Sequence, residues 1–479
     1  MFIKQFSVAE SCFFFLYTPT EMNRLRAFAL YFAIVLCMIV CNATPICNTV
    51  TLDSCRMWAL RYNKTLQIAH ETVEQSACLR RAARGAYLPA IDFAGAYFYN
   101  QKPTRLVDVD NLRSAISQLG VSASWASVFI PDDFLELDTR QVAIGAVTLA
   151  QPIYMGGKIL AMNDMAANAE LLAHSQRNLT EIEVITAVDD VYWLVVSLEH
   201  KLQLAQSFVS LLENLHNDMT DLINEGLATQ SDGLAVSVAK NEADVMLTKA
   251  ENGLVSARMM LAQLCGMPID TVFELRDVVF FQEPPMLASY AMSGIYSRRE
   301  EVQSLRILSR MAHAQQRLAL SAMLPSVALV GMYSLSLPNL YNGFKTSFDG
   351  MFSVGVMVHI PIFHWGTDYY RYKAARSVVT IANIEIEAAK DRIALQVNEA
   401  RHRYNEAGAI YKMCVKNSEQ AELNLRNAQY AFDEGVYTYT QLLAAQTAWR
   451  EAFSELIDAR VAVSVAYDSY TRAVGLPLY

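Results

Sequence analysis

The residue types that most often carry chemistry are sparse in this sequence. His359 and His364 flank Pro361 and come closest to a metal-binding pair. A zinc site needs further imidazole, thiolate or carboxylate ligands at a matched spacing, and none accompanies these two histidines. We expect them to line a junction between a strand and a helix, and the sequence predicts neither a metal nor a cofactor.

The eight cysteines form no recognisable pattern either. No two of them have Cys-x-x-Cys spacing, and the four nearest the N-terminus lie in or beside a targeting segment. This distribution predicts neither a disulfide framework nor a zinc site. The sequence also lacks a G-x-S-x-G elbow, a P-loop and a dinucleotide fingerprint. An enzyme is therefore the least supported class, and a net charge of −9 disfavours a nucleic-acid partner.

Long helices dominate the predicted architecture. The 479-residue chain has no proline between Pro152 and Pro268, or between Pro361 and Pro477. Turns usually contain proline and glycine, so each of these gaps indicates few reversals of the chain. With 53% hydrophobic and 18% charged residues, the chain is also too apolar to be disordered.

The N-terminus is typical of a secretory signal peptide. Two arginines precede an apolar run from Ala27 to Cys41, and the small residue Ala43 follows. The run is shorter than the roughly 20 residues that a membrane-spanning helix needs. We expect translation to begin at Met1 or Met22 and cleavage near Ala43, giving a signal peptide over residues 1–43. Lipidation of Cys41 is the alternative to plain cleavage.

Rare residues recur at a fixed offset of 209, which indicates an internal duplication. The matching pairs are Pro152 and Pro361, Gly157 and Gly366, Glu225 and Glu434, Gly226 and Gly435, Leu234 and Leu443, Gly266 and Gly475, and Pro268 and Pro477. Upstream, the offset is 236, as between Pro89 and Pro325. The first half therefore carries 27 extra residues, which we interpret as a loop insertion within residues 100–140. The predicted repeats span residues 44–290 and 291–479.

The longest segments have the pattern of coiled-coil helices. Between Ile386 and Phe432 the inner positions recur at alternating steps of three and four, which is a heptad seam with one stutter. The segment from Lys158 to Asn224 corresponds to about 100 Å of helix at 1.5 Å per residue. Gly226 and Gly435 interrupt the two halves at equivalent points and suit helix C-caps. Each half is thus predicted to form an antiparallel helical hairpin with its glycine at the tip.

Short segments between the helices alternate with a period of two. They cover residues 91–99, 141–151, 327–335 and 352–360, and the first strand of each half follows a helix, Leu60 to Ala86 or Arg298 to Ala322. Segments of about ten residues with one apolar face are typical of outer-membrane strands. Taken singly, they fit half-buried strands of a soluble sheet equally well.

The strands constrain the assembly. Single-chain barrels need about eight strands, and an open sheet edge leaves backbone groups unpaired in lipid. The protomers must therefore pool strands, and three copies would supply twelve, which leaves an open lumen. The fold class is mainly α with membrane β, with prolines marking the barrel–helix junctions at Pro89, Pro152, Pro325 and Pro361.

At this point the sequence resembles the TolC-type outer-membrane efflux protein family over nearly the whole mature chain. The resemblance is carried by Arg298 to Tyr333, Ile360-Pro361-Ile362-Phe363 with Gly366, and Glu434-Gly435-Val436 with Leu442-Leu443-Ala444-Ala445-Gln446. It implies a homotrimer with a twelve-stranded barrel in the outer membrane of a Gram-negative bacterium and a helical tunnel across the periplasm. It also implies docking onto a periplasmic adaptor and an inner-membrane transporter, for export of drugs, metals or proteins.

The resemblance assigns roles to residues near the tips. It implies adaptor contacts at Gly226, Leu227, Gly435 and Val436. It also implies a periplasmic entrance, or gate, around Asp232, Phe432 and Gln441. Well-known members carry aspartates where this chain has Gln441 and Ala444, and a tyrosine where it has Phe432, so the clearest cation-binding gate is missing. Asp232 fits a helix N-cap as well as a gate.

Two functions therefore remain open. The favoured one is a trimeric export duct without catalytic residues, which opens and closes at its periplasmic tips. The alternative is a secreted or periplasmic coiled-coil scaffold or adhesin without a pore. Four proline-bounded alternating segments at duplicated positions favour the duct. The exported substrate is left open.

Overall fold

The computed structural model describes residues 49–105, 108–119, 136–137, 139–271, 273–275, 285–339 and 347–476. The predicted signal peptide, with Met22 and Cys41, lies outside the described residues. In chain order the helices are α1 (Leu52–Tyr62), α2 (Lys64–Gly85), α3 (Val109–Gln118), α4 (Lys158–Asn224), α5 (Gln230–Leu264), α6 (Met292–Arg298), α7 (Glu300–Ser321), α8 (Thr367–Asp433) and α9 (Tyr439–Ala473). The strands are β1 (Thr49–Val50), β2 (Ala90–Tyr99), β3 (Thr104–Arg105), β4 (Glu136–Leu137), β5 (Gln141–Met155), β6 (Glu274–Leu275), β7 (Ser326–Leu337) and β8 (Asp349–His359).

The described chain forms two compact units. The smaller contains residues 49–51, 271 and 273–275, where β1 pairs in parallel with β6. The larger contains all the long helices and the main sheet. None of the helices in the described residues is long and apolar enough to cross a membrane.

The duplication extends from residue types to the backbone. Helices α4 and α8 are each 67 residues long and start 209 positions apart. Their return helices, α5 and α9, are each 35 residues long and have the same offset. Upstream, α2 and α7 are each 22 residues long and start 236 positions apart. The boundary between the two repeats at residues 290 and 291 stays a prediction.

Both predicted upstream helices are broken in the structure. Asn63 separates α1 from α2 and Arg299 separates α6 from α7, each with extended backbone at ψ 129° and 121°. Asn63 Nδ2 donates to the carbonyl of Leu264 at 2.9 Å, and Arg299 Nη1 donates to that of Ala473 at 3.1 Å. Each break therefore caps a final carbonyl of a return helix that has no partner within its own helix. Periodicity did not predict these breaks.

The two hairpins have an apolar interior. Helix α4 packs against α5 and α8 against α9, while α7 contacts both α4 and α8. All the inner positions predicted between Ile386 and Phe432 are buried or half-buried, so the seam is confirmed.

The predicted insertion contains a short helix, α3, within its described part, where a loop alone was predicted.

The four long strands form one antiparallel sheet in the order β2-β5-β7-β8. Its register aligns the predicted apolar faces across all four strands. One such row consists of Phe93, Val147, Tyr333 and Phe352. The next row, on the opposite face, consists of Ala94, Ala146, Ser334 and Met351. The sheet therefore has one apolar face and one face of smaller or more polar residues.

The prolines do not all lie at strand ends. Pro89 and Pro325 immediately precede β2 and β7, and Pro361 follows β8 by two residues. Pro152 instead lies within β5, beside a register shift between Pro152 and Tyr154. A proline lacks the N–H that a regular ladder uses, so a bulge is where a continuous strand tolerates it. The strand end predicted at Pro152 is therefore three residues too early.

A buried ion pair joins α1 to α4. Arg56 Nε lies 2.7 Å from Asp189 Oδ1, and Arg56 Nη2 lies 3.0 Å from Asp189 Oδ2. Both residues are buried. Burial raises the pKa of Asp189, and the hydrogen bond from Arg56 opposes that shift. The carboxylate therefore depends on this partner to stay charged in the interior.

Removal of one member of this pair should cost more than removal of both. We expect Arg56→Met to lower the free energy of unfolding by about 3–5 kcal/mol, because it leaves Asp189 buried without its main counterion. We expect the double variant Arg56→Met with Asp189→Leu to lose distinctly less. Denaturant unfolding of the purified chains measures both values, and equal losses in the single and double variants would contradict this account.

Candidate functional site at the helical tips

The tips of the two hairpins are built by the same turn. Gly226 has φ +77° and Gly435 has φ +71°, a left-handed conformation that suits glycine. The amide of Leu227 donates to the carbonyl of Leu222 at 2.8 Å, and that of Gly226 to Ile223 at 3.0 Å. These are the two bonds of a Schellman motif, which satisfies the last carbonyls of α4.

The second tip repeats this arrangement. Val436 N donates to the Ala431 carbonyl at 2.8 Å, and Gly435 N donates to that of Phe432 at 2.9 Å. The residue after each glycine is left exposed, Leu227 at 71% and Val436 at 73%. The four residues that the sequence predicted as adaptor contacts therefore form two equivalent turns, each with one protruding apolar side chain.

The return helices begin with capping boxes. Thr229 is the N-cap of α5, and its hydroxyl accepts from the amide of Asp232 at 3.2 Å. Asp232 Oδ2 in turn accepts from the amide of Thr229 at 3.1 Å and from its hydroxyl at 2.7 Å. The prediction that Asp232 is itself the N-cap is therefore wrong, because Asp232 lies at the third helical position and completes the box.

Gln441 has the same position in the second repeat. Its Oε1 accepts from the amide of Thr438 at 2.9 Å and from the Thr438 hydroxyl at 3.2 Å. Glutamine reproduces the reciprocal contact of the capping box without the charge. Compared with Asp232 in the first repeat, Gln441 thus keeps the capped start of α9 and carries no negative charge.

The capping box also sets the charge state of Asp232. The hydroxyl and amide of Thr229 hold the pKa of Asp232 below its ordinary value, and nearby Tyr439, the first residue of α9, lowers it further.

An apolar cluster lies beneath the tips and draws on all four long helices. Its buried members are Phe208, Leu212, Leu215, Met219, Val236, Ala243, Ala428, Leu442 and Ala445. Phe432 and Tyr439 are half-buried and pack against it. Phe432 thus contributes packing between the hairpins.

Acidic residues of α4 and α8 meet beside this cluster, and sequence reasoning missed them. Burial raises the pKa of Asp218, and repulsion from Asp433 and then from Asp221 raises it further. Asp433 Oδ1 accepts a hydrogen bond from Gln429 at 3.0 Å. The charged carboxylates therefore oppose the approach of the two helices that the apolar cluster favours. Their proximity depends on how α4 and α8 pack, which no local pattern records.

The two histidines of the strand–helix junction have different surroundings. His359 is the last residue of β8 and pairs with Ser326 in the sheet. His364 Nδ1 lies 2.6 Å from Asp368 Oδ2, and Arg371 approaches the other oxygen of that carboxylate at 3.6 Å. Within the described residues, no three His, Cys, Asp or Glu side chains are grouped to hold a metal ion.

Substitutions at Asp232 should separate its charge from its capping contact. We expect Asp232→Ala to speed hydrogen exchange of the amides at the start of α5, because the capping box loses one partner. The lowered pKa means that Asp232 contributes stability above its ordinary value of 3.8 and loses it as pH falls through the folded value. Exchange followed by mass spectrometry from neutral to acidic pH measures both effects.

The matched control is Asp232→Gln, which copies the second repeat. It should retain slow exchange at neutral pH and show no acid-dependent loss at this site. Equal exchange rates in the wild type and in Asp232→Ala would contradict a capping role.

Comparisons with known proteins agree with this geometry. Residues 292–476 match the family described as outer membrane efflux protein. No curated protein gave a significant match to the sequence. The family match therefore lies within the second predicted repeat, residues 291–479.

Solved structures extend the likeness to both repeats. CusC superimposes with a TM-score of 0.73 at 15% identity, covering 89% of this chain and 92% of that one. VceC from Vibrio cholerae gives 0.70 at 15% identity, with 89% and 97% covered. The open state of the MtrE channel from Neisseria gonorrhoeae gives 0.68 at 18% identity, with 89% covered in each. At these identities the comparison shows a common fold.

Together these matches confirm the family resemblance and the predicted class of long helical hairpins with a small β domain. Residues 292–476 thus resemble the outer membrane efflux protein family, and the chain shares the fold of solved outer-membrane channels over 89% of its length.

Proposed function

We propose that three copies of this chain assemble into a channel through the outer membrane, with the helices extending into the periplasm as a tunnel. The observation that carries the proposal is the arrangement of the sheet. Strands β2 and β8 are its two outer strands, and they are ten and eleven residues long. A transmembrane strand needs about 9–11 residues when it is tilted.

The outer strands expose apolar side chains as well as backbone edges. Phe93 on β2 is 73% exposed, and Phe352 on β8 is 69% exposed. In lipid each backbone N–H and C=O must have a partner, so an open four-stranded sheet is excluded there. Pairing β8 of one copy with β2 of the next supplies that partner, and three copies close a ring of twelve strands.

The two faces of β8 provide a sharp test. Val354 pairs laterally with Gly331 on the apolar face, whereas the adjacent Ser353 pairs with Met332 on the opposite face. If the apolar face contacts lipid, arginine there costs about 2–4 kcal/mol near the bilayer midplane, while a lumen position tolerates it. We expect Val354→Arg to abolish the heat-modifiable trimer in outer-membrane extracts and Ser353→Arg to retain it.

Two outcomes would reject the channel. One is equal behaviour of the two arginine variants. The other is recovery of the wild-type chain only as a soluble periplasmic monomer, which would favour the coiled-coil scaffold. Both are read from membrane fractions run on gels with and without heating.

We infer that the tips form the contact with a periplasmic adaptor, which couples the channel to an inner-membrane transporter. Leu227 and Val436 are supported by their shared position in the turns and by their exposure. We expect Leu227→Asp with Val436→Asp to abolish copurification of the adaptor and to leave the trimer and its conductance intact. The matched control, Leu227→Met with Val436→Ile, keeps an apolar surface and should keep the partner. Loss of the adaptor in both pairs, or in neither, would contradict the assignment.

The gate is proposed around Asp232, Phe432 and Gln441, where the two hairpins of a protomer meet. Opening would separate them at the apolar cluster beneath the tips. In single-channel recordings, the Asp232→Gln variant isolates the charge, since glutamine preserves the capping contact at Gln441. Unchanged conductance and ion selectivity would reject a gating role for the Asp232 charge.

A further inference from the structure

Two thiols meet where α1 packs against the end of α5. Cys55 lies in the first turn of α1, and Cys265 is the C-cap of α5. Both are fully buried. Cys265 Sγ donates to the carbonyl of Cys55 at 3.6 Å, and the two thiols also hydrogen-bond to each other. Residues 210 positions apart in the sequence are therefore in side-chain contact.

The surrounding backbone holds this contact in place. A Cβ atom at Gly266 would lie 2.6 Å from Tyr62 Cβ, so α1 and the end of α5 approach as closely as a glycine allows. On the same side, Asn63 Nδ2 donates to the Leu264 carbonyl at 2.9 Å. The residues after Cys55 and around Cys265 are thus fixed to each other independently of the thiols. The thiols themselves are brought together two helical turns before Tyr62, where Cys265 Sγ contacts the Cys55 carbonyl.

The second repeat shows what this junction needs for packing alone. At the offset of 209, Cys265 corresponds to Val474, and at the offset of 236, Cys55 corresponds to Ala291. Val474 is fully buried in a hydrophobic cluster, whereas Ala291 is exposed. Hydrocarbon side chains therefore occupy both equivalent positions, and the two buried thiols in contact are particular to the first repeat.

We propose that Cys55 and Cys265 form a disulfide bond as the chain folds outside the cytoplasm. The inference rests on the proposed outer-membrane function, because disulfides persist in the periplasm and are rare in the cytosol. Two S–H bonds break and one S–S bond forms, with release of two protons and two electrons. The electrons reduce the disulfide of a thiol–disulfide oxidoreductase, or a small-molecule disulfide, to two thiols.

The bond must form before the junction is fully packed. In the folded chain, hydrogen bonding to Cys265 and then burial raise the pKa of the Cys55 thiol. The thiolate is the reactive species in exchange, so the buried pair is chemically inert once packing is complete. A disulfide that forms during folding would therefore be inaccessible to exchange in the folded chain. The loop that this disulfide closes contains β2, β5 and the whole first hairpin.

The test counts thiols in the full-length chain. Cells are quenched with acid, the chain is denatured, and free thiols are labelled with polyethylene-glycol maleimide before or after reduction. We expect reduction to add two labels to the wild type and none to the double variant Cys55→Ala with Cys265→Ala. Peptide mapping of unreduced chain should yield one linked pair that contains Cys55 and Cys265.

Single variants and heat stability provide the controls. Cys55→Ala should expose one additional label without reductant, from Cys265. The remaining described cysteines, Cys78 and Cys414, are present in every variant and cancel in the comparison. We expect reductant to lower the temperature at which the folded band converts to the unfolded one in the wild type, and to leave the double variant unchanged, because a closed loop restricts the unfolded chain.

Free thiols in the wild type overturn the proposal wherever the chain is found. The cell fraction decides the proposed function separately. A reduced pair in an outer-membrane trimer would reject the disulfide and leave the channel standing. A bridged pair in a soluble periplasmic chain would support the disulfide and reject the channel.

Discussion

Backbone hydrogen bonding at the two outer strands is the constraint on which the proposed assembly depends. In water an exposed strand edge is solvated, whereas in hydrocarbon each unpaired N–H or C=O group costs several kcal/mol. The four-stranded sheet has its apolar side chains aligned on one face, but β2 and β8 remain its margins. In the proposed assembly a single copy is incomplete, and identical copies are the simplest source of the missing strands. Rotational symmetry then follows, because each copy offers one edge of each kind.

The helices below the sheet depend on a second set of unsatisfied groups, those at helix ends. Each return helix finishes beside a break in an upstream helix, where Asn63 or Arg299 supplies a donor to its last carbonyls. The two side chains differ in size and charge, yet each stands at the equivalent break and each donates to an equivalent carbonyl. The duplicated fold therefore preserves the capping bond and not the residue type. This explains why the two breaks occur at equivalent positions of the repeats although no sequence motif marks them.

Sequence alone predicts the features that depend on neighbouring residues and misses those that depend on long-range packing. The seam of α8, the left-handed glycines and the strand periodicity are local signals, and the structure contains each of them. The helix breaks, the continuation of β5 through Pro152 and the buried Arg56–Asp189 pair depend on what packs against them. Cys55 and Cys265 belong to this second group, because spacing rules cannot detect thiols 210 positions apart. The tips were predicted in part: the glycines marked the turns correctly, but Thr229, and not Asp232, is the N-cap of α5.

Opposing forces act at the tips, which we propose as the entrance of the channel. Apolar side chains from all four long helices draw the two hairpins together, while Asp433 of α8 repels Asp218 of α4 beside them. In the proposed channel, the balance between hydrophobic contact and like charge sets how much interaction energy a partner at Leu227 and Val436 must supply to separate the hairpins.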